Sequence, residues 1–164
     1  MLIAYALVLI AVGMDLRSMK ISNRLILVGI ILALVRRFFC EGIGGVLTGL
    51  FLISFPVIIL YLLFLAGVLG AGDIKLFSLI GGFVNLKELM WCMVFAFIFA
   101  AIFSFCKLLY SGAIFLGVKN AISYFYQVFK GYRAPYQSRF SEKGKIHFSI
   151  AILLGLVATD VYFV

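Results

Sequence analysis

Charged side chains interrupt this chain at only a few places, and long apolar runs lie between them. Met1–Met14 carries no charge, Ile43–Gly72 carries none over a still longer stretch, and Leu89–Cys106 is another such run. A membrane-crossing helix needs about 20 mostly apolar residues. The pattern predicts six helical spans, at Met1–Arg17, Leu25–Phe39, Ile43–Val68, Asp73–Leu86, Leu89–Tyr110 and Ile146–Tyr162. The first, second and fourth are short, so they must tilt, thin the bilayer or run on into flanking polar residues. Met1–Met14 reaches only about 21 Å at 1.5 Å per residue, against a hydrocarbon layer of about 30 Å. The first helix is therefore expected to continue past Asp15, holding that carboxylate at the membrane boundary.

Composition agrees with this division. Of 164 residues, 66% are hydrophobic and 12% charged, with a mean hydropathy of +1.25. Ordinary soluble domains are about 45–50% apolar and about 25% charged. The expected fold class is an all-α polytopic membrane protein, a bundle of about six transmembrane helices in one domain over residues 1–164. Met1–Met14 lacks a basic leading segment and a small-residue cleavage pattern, so it reads as a retained helix and not as a signal peptide.

The basic residues predict orientation. With six spans, eleven of the fourteen Lys and Arg fall on one side, leaving Arg36, Arg37 and Lys87 on the other. The positive-inside rule makes the first side cytoplasmic. The net charge of +8 is then mainly a topology signal addressed to the lipid bilayer, and no nucleic-acid partner is implied. Between the fifth and sixth spans, Val118, Ile122, Phe125 and Phe129 recur at helical spacing, with Lys119, Ser123, Gln127 and Lys130 on other faces. Residues 111–145 thus read as an amphipathic, basic cytoplasmic segment, either a membrane-surface anchor or a lid over a site. Cys40, Cys92 and Cys106 are scattered without a CxxC pair, which gives no zinc pattern.

Six acidic residues are present, and Glu41, Glu88, Glu142 and Asp160 read as loop or terminal charges. Asp15 and Asp73 differ, because each abuts a span on the same predicted side. A carboxylate at the centre of a membrane helix costs about 2.5–3.5 kcal/mol on insertion scales, and less near the interface. Two such groups side by side can share a proton, one taking a proton from water while the other donates. Gly70 and Gly72 remove side chains beside Asp73, which permits unusual backbone angles or room for an extended peptide; packing of small residues between helices is the other reading. Lys75 either pairs with a carboxylate or reaches for the surface. Pro56 is expected to kink the third span and free a backbone carbonyl, and His147 reads as an interfacial residue.

Two stretches then resemble a known family. GAGDIKL, Gly70–Leu76, resembles the GxGD motif of the type IV prepilin peptidases, intramembrane aspartic proteases that include archaeal preflagellin peptidases. DLRSMKISN, Asp15–Asn23, resembles that family's Asp-Leu-Arg-x-x-x-Ile-Pro-Asn segment, and HFSIAILLG resembles the opening of its last helix. Ser22 and His147 stand where the family usually has proline. The resemblance implies that Asp15 and Asp73 are the catalytic pair, with Lys20, Asn23 and Lys75 on accompanying polar positions. It implies a peptidase-only member, lacking the methylase region of larger relatives. The implied substrate is a prepilin-like membrane protein with a short basic leader, cut after glycine on the cytoplasmic side without metal or cofactor. From the residues alone, a small transporter or channel subunit that binds protons or ions at Asp15 and Asp73 is the alternative, and an inactive assembly factor is a third.

Overall fold

A computed structural model describes residues 2–18, 21–110 and 148–163. Lys20, His147 and the amphipathic segment 111–145 lie outside the described residues. Among the described residues all five elements are helices: α1 (Leu2–Ser18), α2 (Asn23–Leu65), α3 (Ala71–Phe83), α4 (Leu86–Tyr110) and α5 (Phe148–Phe163). Residues 1–99 and 147–164 form one compact unit; residues 100–146 form a second, of which the last turns of α4 are described. α2 and the Leu86–Lys107 part of α4 are long and apolar enough to cross a membrane.

The chain's turns follow from local chemistry. In the last turn of α1, Ser18 donates its hydroxyl to the Met14 carbonyl at 2.9 Å. Ser22 then caps α2: its backbone is extended, and its side chain accepts from the Arg24 N–H at 3.3 Å. At Gly42 the helix breaks, with φ 66° and ψ −152°, a conformation open essentially to glycine alone. The two arms fold back on each other, so that a Cβ on Gly49 would meet Leu34 Cδ2 at 3.1 Å. In a straight helix those fifteen positions would be about 22 Å apart. The predicted second and third spans are the two arms of this one broken helix.

α2 ends in a Schellman turn. Gly67 takes φ 71°, its N–H reaches Phe64 O at 3.0 Å, and Val68 N–H reaches Leu63 O at 3.0 Å. α3 and α4 each start with an acidic residue at the third helical position that reaches back to the capping residue's N–H. Asp73 accepts from Gly70 at 3.1 Å, and Glu88 accepts from Asn85 at 3.0 Å.

α3 is the centre of its unit. Ile74 and every residue from Leu76 to Phe83 are buried, as befits a helix that is apolar all round. Gly82 lies against Ala33 on the first arm of α2, and Gly81 against the Leu52 carbonyl on the second. That carbonyl is the one that Pro56, four positions on, leaves without an N–H partner. Pro56 itself does not break the helix, since Gly42 is where the helical angles are lost. Phe77 packs on Phe97 of α4 and Phe148 of α5, with ring centroids 6.4 and 6.2 Å apart.

Two arginines close the far end of α3. Arg37, only 5% exposed, donates from Nε to Gly82 O at 2.8 Å and from Nη2 to Val84 O at 2.7 Å. Arg36 adds a bond to Phe83 O at 3.3 Å. In return, the outer surface is apolar. Leu47, Phe51, Ile58 and Leu62 on α2 are all more than half exposed, an arrangement suited to lipid and costly in water.

α1 and α5 run antiparallel and are tied near both ends. Tyr5 donates its hydroxyl to Asp160 Oδ2 at 2.7 Å, and Ser149 donates to Asp15 Oδ2 at 2.6 Å. The ties are about 15 Å apart along α1 and about 16.5 Å along α5 at 1.5 Å per residue, so the two helices match in reach. Asp160 is thus not the terminal surface charge that its position in the sequence implies.

Candidate functional site

Asp15 stands in the last full turn of α1, and Asp73 in the first turn of α3. The hairpin of α2 lies between them in sequence, yet both line one open cavity of about 350 Å³. Ile21, Gly70, Ala71, Gly72 and Lys75 complete its walls. Each is anchored: Asp73 by the Gly70 N–H, Asp15 by the Ser149 hydroxyl. Both are part-buried, so neither is bathed freely by water.

The polar residues around them sort differently from the expectation. Lys75 is exposed, as a lysine reaching for the surface would be, and there its ammonium donates to Asn23 Oδ1 at 2.8 Å. That bond joins the end of the DLRSMKISN stretch to GAGDIKL, so the two stretches are held together as well as placed together. Gly70 does not need its freedom of backbone angle. Its φ of −79° and ψ of 150° are ordinary extended values, and the left-handed residue in this turn is Gly67. What Gly70 lacks is bulk: a Cβ there would stand 3.1 Å from Asp73 Oδ2. Gly72 is less confined, because its Cβ would meet Ile21 at an ordinary 3.5 Å.

Ser149 escapes a reading of the sequence. It is fully buried, it sits in the first turn of α5, and it binds Asp15 across 134 positions. The available signal was its place: a hydroxyl opening the last apolar run, at the end where Asp15 closes the first. Among the described residues no cluster of His, Cys, Asp and Glu suits a metal ion.

A sequence model of the type IV leader peptidase family matches residues 2–105. The chain belongs to the type IV leader peptidase family. The match runs from α1 through most of α4, so it includes both aspartates and the whole of DLRSMKISN and GAGDIKL. Ser149 and α5 lie beyond the matched stretch. Comparison with curated proteins and with solved structures gives no match. Membership in a leader peptidase family makes this helical, membrane-suited chain a peptidase, and the cavity lined by Asp15 and Asp73 is the natural place to look for the chemistry.

Proposed function

We propose that this family member is an intramembrane aspartic endopeptidase that removes the short basic leader of prepilin-like proteins at the cytoplasmic face, from a bundle of six membrane-crossing helical segments. The observation that carries this reading is the meeting of Asp15 and Asp73 in one cavity from two separate stretches of chain. Two carboxylates facing one site disfavour double ionisation, and the mechanism uses the pair with one proton between them. The ionised member takes a proton from water as the water oxygen bonds to the scissile carbonyl carbon. The protonated member gives its proton to the carbonyl oxygen, and a gem-diol results. On collapse, the first carboxyl returns its proton to the leaving nitrogen as the C–N bond breaks. The second recovers a proton from a diol hydroxyl, and the pair ends with one proton as it began.

Cleavage then depends on pH in a bell shape. Below the range both carboxyls are protonated and no base is left; above it both are ionised and no donor is left. Conduction of protons or ions is less well supported. A pathway from this cavity along α1 would need polar positions, whereas its buried face between Tyr5 and Asp15 is Leu7, Val8, Ala11 and Val12.

The test is cleavage of a small panel of prepilins in membranes by wild type, Asp15→Asn and Asp73→Asn. Leader removal by wild type, with both variants reduced at least about a thousandfold, is expected if both groups take part in one acid–base step. Cleavage retained by either variant ends the paired-aspartate mechanism. No cleavage by wild type, where a known peptidase cuts the same panel, ends the peptidase reading itself.

A further inference from the structure

The symmetrical description of the pair leaves one question open, namely which carboxylate is the base. Resting on the aspartic-peptidase reading above, we infer that Ser149 is a positioning residue that holds Asp15 as the ionised member, making Asp15 the base and Asp73 the proton donor.

The geometry is specific to α5. Ser149 donates to Asp15 Oδ2 at 2.6 Å, within the range of about 2.5–2.7 Å for a hydroxyl bonded to an ionised oxygen. Its side chain is fully buried, which favours a fixed donor over one competing with water. The helix that carries it cannot shift easily. Phe148 packs on Phe77 and Phe97 at 6.2 and 5.6 Å. Farther along, Gly155 brings α5 so near α4 that a Cβ would stand 2.7 Å from Cys92 O. Asp73 receives a longer bond, from the Gly70 backbone N–H at 3.1 Å. The unequal donors place the shared proton on Asp73. Among the described residues, charged groups near this end on the elements packed against α1 are Lys75 on α3, which donates to Asn23, and Arg24 at the start of α2. Arg17 is on α1 itself. The test leaves all of them in place.

The experiment is the pH–rate profile for cleavage of one prepilin by the full-length protein in membranes, comparing wild type with Ser149→Ala and Ser149→Thr. Loss of a hydroxyl bonded to a charged oxygen is expected to lower kcat about tenfold with KM unchanged. The acid-side limb of the profile is expected to move up by about one pH unit, the equivalent of that factor. Ser149→Thr keeps the hydroxyl and restores the limb. Should Ser149→Ala not accumulate, Ser149→Cys, a weak donor of similar size, carries the same expectation. A reduced rate with an unmoved acid limb shows a merely structural residue and overturns the inference, as does a wild-type profile in every variant. If wild type cleaves nothing that a known peptidase cuts, the peptidase reading fails, and this inference fails with it.

Discussion

A carboxylate at the third helical position that reaches back to its capping N–H is a common local device, and Glu88 uses it as Asp73 does. That bond alone therefore says nothing about chemistry. What sets Asp73 apart is the company of Asp15 in the same cavity. The flanking glycines give a way to separate placement from space. In Gly70→Ala the new Cβ presses on the Asp73 carboxylate from 3.1 Å, and displacement by a few tenths of an ångström is expected to lower kcat about tenfold, given that about 1 Å can cost a hundredfold. Gly72→Ala meets Ile21 first, at an ordinary 3.5 Å, so it should leave kcat alone and raise KM by taking room from the peptide. Steady-state cleavage over a range of prepilin concentrations distinguishes the two. The aspartates were legible in the sequence because each is a rare charge beside an apolar run. Ser149 was not, because a lone serine in an apolar helix looks like any small packing residue until its neighbour across 134 positions is known.

Among the elements, α3 depends most on its partners. Its 13 residues reach only about 20 Å at 1.5 Å per residue, and its last carbonyls end inside the protein, where Arg37 answers two of them. Arg37→Met leaves Gly82 O and Val84 O unmet at a cost of about 1–3 kcal/mol each. Thermal unfolding in detergent is expected to show a large loss of stability, only partly recovered in Arg37→Lys, whose single ammonium lacks the fork that reaches both oxygens. The sequence reading kept Arg36 and Arg37 at the end of the second span and took both only as charges marking one side of the membrane. A charge that closes a neighbouring helix is indistinguishable in sequence from one that faces water, because its acceptors are backbone atoms about 47 positions away. The run lengths were easier to read. Each predicted apolar span falls on a helix or on one arm of α2, since the breaks carry their own marks: charges before Gly42, Gly67 before α3, Asn85 before α4.

For the whole molecule, the carboxylates lie at the start of α3 and the arginines at its end, with Cys40 near the bend of α2 beside those arginines. On the proposed orientation, Cys40 faces the outside of the cell. A thiol reagent that cannot cross membranes is expected to label exposed Cys40 in intact cells and to spare buried Cys92; labelling of Cys40 only after lysis would reverse the orientation. The pairing of α1 with α5 also has a consequence for how the protein is made. At synthesis rates of about 5–20 residues per second, the 134 positions between Asp15 and Ser149 take about 7–27 s to appear. Through that interval Tyr5 and Asp15 on the first helix are without the partners they will have on α5. A message truncated before the codon for Ser149 removes the α5 side of both ties, and such a product is expected to be a substrate for the cell's membrane quality control.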